Sequence, residues 1–216
     1  MTSFLYAVGI TTLLTGSLLA STLSLADTAQ DTQLIFKQLA QHSTVRAEFV
    51  QQKQLPSINK TFQSRGSLTF SKSAGVLWRI KAPVHADLIM TPVKLVQKTE
   101  RTQSQIAVDK SPYGGVANVF LQLMSGDQKT LDKNFTVQSV TVNRQVQPAS
   151  WTIRLVPKST MLKKLFNSVD ASGDQYVQRM SINEKGNSNT VIQFSQQQNS
   201  PAQLTANENA LFQLAK

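Results

Sequence analysis

The chain has 216 residues, with 22 Lys and Arg against 12 Asp and Glu, a net charge of +10, and no cysteine. Without cysteine the fold is held by burial and not by disulfides, and two histidines alone, His42 and His85, leave too few ligands for an ordinary metal site. The basic excess favours anionic partners, with nucleic acid and anionic lipid headgroups the two classes it admits.

Residues 1–26 contain no charged side chain, and small residues at Ser24 and Ala26 precede a charged, Gln-containing stretch. That pattern predicts a secretory signal peptide cut after Ala26, leaving 27–216 as a single domain. No second apolar run approaches the ~20 residues of a spanning helix. A short helix is expected next, capped at Asp31-Thr32, with Leu34, Ile35, Leu39 and Ala40 as its apolar stripe.

From Thr44 the period changes to two. Val45, Ala47 and Phe49 alternate with Arg46, Glu48 and Val50, and Leu55-Pro56 breaks the strand. A strand around Phe62 and another through Leu68 and Phe70 follow. Ser71 to Gly75 reads as a turn into Val76, Trp78 and Ile80, which Ala82-Pro83 ends. Phe62, Phe70 and Trp78 alternate as buried residues do. Shorter strands are expected at Leu88–Met90, Leu95–Gln97 and Ile106–Val108. His85 and Asp87 are placed in the connection after Pro83.

The clearest helix covers Val116 to Met124, where Val116, Val119, Phe120, Leu123 and Met124 recur at helical spacing and Gly126 follows. Strands resume at Phe135–Val142, Trp151–Leu155, Tyr176–Ile182 and Val191–Phe194, the last two joined by a turn at Glu184-Lys185-Gly186-Asn187. Met161 to Val169 suits either helix or strand. Gln196 to Pro201 reads as a polar loop. The sum is an α+β fold: a mainly antiparallel sheet of roughly eight to eleven strands with two short helices.

No nucleophile elbow, phosphate loop or paired metal motif appears. The informative feature is a face. Leu68, Phe70, Val76, Trp78 and Ile80 share one parity, and Lys72 shares it at the turn. A lysine there reaches water or meets an anionic partner, because an unpaired buried charge is costly.

The sequence around that face resembles the LolA-type periplasmic carriers of lipoproteins. Val45-Arg46-Ala47-Glu48-Phe49-Val50-Gln51 is similar to the family's first strand. Gly66-x-Leu68-x-Phe70, Gly75-x2-Trp78-x4-Pro83, Leu155-Val156-Pro157-Lys158 and the late hairpin from Ile182 to Phe194 follow in the family's order. The resemblance spans roughly residues 30–214. It implies an antiparallel curved sheet forming an unclosed half-barrel, with short helices covering an apolar cavity that shelters acyl chains. Leu68, Phe70, Lys72, Val76, Trp78, Ile80, Phe120 and Met124 are then the candidate ligand-binding residues. Typical members carry Arg and, four residues on, Phe in this hairpin, where Lys72 and Val76 stand here. Lysine keeps the charge without the planar fork and valine lacks the ring, so the chain looks like a divergent branch.

The resemblance further implies a monomer in the periplasm of a Gram-negative bacterium, without cofactor or enzymatic activity. Its partners would be an acylated lipoprotein or other lipid, an inner-membrane exporter, an outer-membrane acceptor and, transiently, a membrane surface. Two other readings stand beside it: a basic secreted protein that binds nucleic acid, and a secreted enzyme with an unrecognised carboxylate pair.

Overall fold

The computed structural model describes residues 20–107 and 112–216, with side chains for 27–107 and 119–216. Most of the expected signal segment lies outside the described residues, as do Val108 and the side chain of Val116. Eleven strands form one sheet: β1 (Thr44–Leu55), β2 (Lys60–Ser71), β3 (Gly75–Ala82), β4 (Ala86–Met90), β5 (Lys94–Lys98), β6 (Gln103–Ala107), β7 (Phe135–Asn143), β8 (Ser150–Pro157), β9 (Phe166–Gly173), β10 (Val177–Glu184) and β11 (Asn189–Gln198). Their spatial order is β6-β5-β4-β3-β2-β1-β11-β10-β9-β8-β7. Each neighbouring pair is antiparallel. Two meanders are therefore joined where β1 meets β11. The edges β6 and β7 do not pair among the described residues, so the sheet is not closed into a barrel.

The hairpin of β1 and β2 is the spine. Val45 stands opposite Phe70, Ala47 opposite Leu68 and Phe49 opposite Gly66, which puts their side chains on one face. Across β3, Leu68 faces Trp78 and Phe70 faces Val76. At Gly66 the β2–β3 register slips by one residue, and a Cβ there would lie 1.8 Å from the Arg79 carbonyl oxygen. Only glycine admits that close approach, which explains a glycine inside a strand. Pro56 stops β1, a short 3-10 turn covers Pro56–Ile58, and Asn59 takes the left-handed conformation (φ 50°) before β2 begins.

Among the described residues five helices cover the sheet: α1 (Ala20–Leu39), α2 (Pro112–Ser125), α3 (Gln128–Asn134), α4 (Thr160–Leu165) and α5 (Ala206–Gln213). Ile35, Phe36 and Leu39 of α1 join Val119, Phe120, Leu123 and Met124 of α2 against the inner face of the sheet. A second buried apolar cluster lies on the outer face. There Leu77, Ile89 and Val96 of the three strands β3, β4 and β5 bury against Leu211, Phe212 and Ala215 at the C-terminus. Each large apolar side chain so buried contributes about 1.5–3 kcal/mol relative to exposure.

Several expectations change. Asp31-Thr32 does not cap the first helix but lies inside it, where the Thr32 hydroxyl donates to the Thr28 carbonyl four residues back (2.7 Å). Five helices replace two, because α3 and α5 are too short to show an apolar period. Met161–Val169 is helix then strand: Ser159 Oγ accepts from the Leu162 N–H to start α4, and β9 takes over at Phe166. Gln196 to Gln198 belong to β11 and not to a loop. Asp87 sits in β4, across from Arg79, and not in a connection. Phe62 is 53% exposed, since β2 runs past the end of β3 and no helix reaches it.

Candidate functional site

The inner face converges on Trp78. Its ring centroid lies 4.0 Å from that of Phe49 on β1, 5.4 Å from Phe120 on α2 and 6.0 Å from Phe194 on β11. Phe120 and Phe194 are themselves 5.7 Å apart. The Trp78 contacts with Phe120 and Phe194 are edge-on, the geometry favoured by aromatic quadrupoles and worth about 0.5–1.5 kcal/mol beyond burial. Period-two alternation aims Phe49, Trp78 and Phe194 inward, and the helical stripe of α2 lowers Phe120 onto them.

Six of the predicted residues, Leu68, Phe70, Val76, Trp78, Phe120 and Met124, lie buried in this one cluster. Ile80 packs half-buried at its margin. Lys72 stands apart. It is exposed at the β2–β3 turn, where its backbone N–H donates to the Ser43 carbonyl (2.8 Å). Sequence reasoning left Phe49 and Phe194 out of the site, although the parity of their strands and their place in the family's motifs were signals for both.

The buried residues of this cluster carry no ionisable side chain. Hydrocarbon and aromatic side chains with the thioethers of Met90, Met124 and Met180 make up its walls, and such walls bind by burial and not by proton transfer or ligation. Methionine side chains repack readily around a flexible guest. The space between sheet and helices is filled here by the rings around Trp78, so any alkyl guest would have to displace side chains. Each methylene it buries is worth about 0.8 kcal/mol.

Two surface concavities instead have mixed walls that include charged side chains. One, about 310 Å³, lies over β7 to β10 and includes Ser139, Arg154, Asp170 and Arg179. The other, about 540 Å³, includes Arg79, Ile80, His85, Asp87 and Lys98. Ion pairs already engage Arg154 with Asp170 (2.5 Å) and Arg79 with Asp87 (3.7 Å). No cluster of three or more metal-ligating side chains occurs among the described residues. No helix among them is long and apolar enough to cross a membrane.

The model of the family described as outer membrane lipoprotein carrier protein LolA matches residues 40–213. The chain belongs to the LolA family. Among solved structures, a LolA superfamily protein from Nitrosomonas europaea is similar at 9% identity, with 86% of this chain and 96% of that one covered and a TM-score of 0.50. A putative outer membrane lipoprotein-sorting protein domain from Vibrio parahaemolyticus aligns at 7% identity over 86% of this chain and 97% of that one (TM-score 0.48). The lipoprotein LppX of Mycobacterium tuberculosis aligns at 11% identity over 83% and 99% (TM-score 0.44). No curated protein matches the sequence. This is a divergent LolA-family chain, and the match extends from the end of α1 through α5.

Proposed function

We propose that this protein is a soluble periplasmic carrier that binds the acyl chains of a lipoprotein or another lipid on the inner face of its half-barrel and moves it from the inner toward the outer membrane. The observation that carries the reading is the aromatic cluster of Trp78, Phe49, Phe120 and Phe194 beneath helices α1 and α2 in a chain of the LolA family. Leu68, Phe70, Val76, Ile80 and Met124 extend the wall that an acyl chain would meet. Lys72, at the turn beside it, would stay in water and contact an anionic group of the cargo or of a partner. Transfer would require a donor in the inner membrane and an acceptor in the outer one. Binding of this kind needs no cofactor and makes or breaks no bond.

The nucleic-acid reading has less support. Stacking platforms need exposed aromatics interleaved with basic residues, whereas Phe49, Phe70, Trp78 and Phe194 are buried. The decisive experiment is native mass spectrometry of protein purified from the periplasm, together with titration by a fluorescent fatty acid. Bound lipid and saturable uptake are expected. Protein that is always empty and takes up no probe would defeat the carrier reading.

A further inference from the structure

We propose that the end of the half-barrel formed by the β1–β2 hairpin tip is a docking face for an anionic lipid bilayer. The register gathers distant segments there. β3 ends at Ala82, opposite Arg65, so residues 60–64 of β2 overhang it. Gln54 pairs with Asn189 and Glu184 with Phe166, which sets the β10–β11 turn and α4 at the same end. Asp87 pairs with Lys98, which adds the β5–β6 turn and places the β3–β4 turn beside it.

This end exposes large apolar side chains from three segments: Ile58 (54%) and Phe62 (53%) on the hairpin, Val84 (69%) on the β3–β4 turn and Met161 (53%) on α4. Around them stand exposed Lys60, Lys98, Arg101, Lys163, Lys164 and Lys185. Of the acids at this end, Glu184 is held by Lys53 at 2.7 Å, Asp87 faces Arg79, and Glu100 stands exposed in the β5–β6 turn beside Arg101. Exposed apolar tips inside a ring whose six exposed cations outnumber its free acid suit the interface of an anionic membrane, where hydrocarbon sinks below the headgroups and lysines meet phosphates. A nucleic acid would leave the aliphatic tips in water, and the opposite end, with Val93 and Val146 exposed, carries fewer free cations, since Arg144 is paired to Asp31 and Lys72 stands alone at the β2–β3 turn. The inference rests on the carrier reading for its purpose, since a carrier must touch the membranes between which it moves.

The test is co-sedimentation of the full chain's purified product with vesicles of phosphatidylcholine, alone or with phosphatidylglycerol. Wild type should bind the anionic vesicles and leave them at high salt. The double substitution Ile58→Ser/Phe62→Ser, at exposed positions that leave the core intact, should weaken binding about tenfold, and Lys163→Glu/Lys164→Glu should do the same. Val93→Ser at the other end should change nothing. Wild-type binding indifferent to phosphatidylglycerol, or hairpin variants that bind as wild type does, would overturn the proposal. So would wild type that ignores both vesicles, which would mark this end as one that faces a protein. Fatty-acid uptake measured on the same proteins without vesicles separates the two readings: its failure in wild type defeats the carrier, while vesicle binding alone judges the docking face.

Discussion

Arg46 on β1 and Glu208 on α5, far apart in sequence, form a two-pronged ion pair, Nε to Oε1 at 2.8 Å and Nη2 to Oε2 at 2.7 Å. The Thr69 hydroxyl and the Thr205 backbone N–H also donate to the same carboxylate. Arg46 further donates to the carbonyls of Pro201 and Gln203. Side-chain exposures of 14% and 10% leave little room for solvent screening. This knot pins the C-terminal helix to the outer face of the sheet, and Thr205 and Glu208 complete a capping box at the start of that helix.

Acid should release it. The Arg46 guanidinium and the other donors lower the Glu208 carboxyl from 4.5 to about 2. A folded-state value below the unfolded one means stability that is present above about pH 4.5 and lost as pH falls through that range toward 2. The loss is on the order of 2–3 kcal/mol. Glu208→Gln should destabilise the protein by about 2–4 kcal/mol at pH 7, since it strands a largely buried Arg46. Denaturant unfolding at a series of pH values checks both: the gap between wild type and variant should close between about pH 5 and pH 2.

Phe212 tests the outer core separately from the site. Phe212→Ala removes its ring from Leu77, Ile89 and Val96 and should cost about 3 kcal/mol. Fatty-acid loading per folded molecule should be unchanged, because α5 lies on the side of the sheet away from Trp78. Thermal unfolding and probe titration on one preparation measure the two effects.

Trp78 and Lys72 should separate wall from rim. Trp78→Ala should reduce lipid loading well beyond Lys72→Ala, and should also destabilise by about 3–5 kcal/mol, as truncation of a large buried aromatic does. Loading is therefore compared at a temperature where circular dichroism shows both variants folded. Equal, full loading in both would show that this face is core alone.

Gly126 holds α2 against α1. Its φ is +66°, and an added Cβ would lie 2.5 Å from both the Phe36 carbonyl oxygen and the Ala40 nitrogen. Gly126→Ala combines left-handed strain, about 1 kcal/mol or more, with a backbone clash that pushes the two helices apart. A fall in melting temperature beyond 5 °C is expected, with weakened probe binding if the helix pair shapes the inner face.

Much of this could be read from the chain. Strict alternation in Val45-Ala47-Phe49 and Val76-Trp78-Ile80 named the inner face before any pairing was known, and Gly126 marked the end of α2. Phe62 shows where alternation fails. It shares the parity of Leu68 and Phe70, yet its strand outruns its neighbour and the helices, so parity without cover leaves it in solvent. The capping box at Thr205 and Glu208 was legible as Thr-x-x-Glu, but a helix of eight residues has too few turns to display a stripe.

Local pattern by itself determined which side chains share a face, because the side-chain directions of strand and helix follow from backbone geometry alone. Only the tertiary structure decided which faces meet. Phe49 reaches Phe194 because β1 pairs with β11, a contact that spans most of the chain, and Arg46 finds Glu208 across a still longer loop. Such pairings depend on closing large loops around a common core, and their free energy belongs to the assembled sheet and not to any stretch of sequence within it.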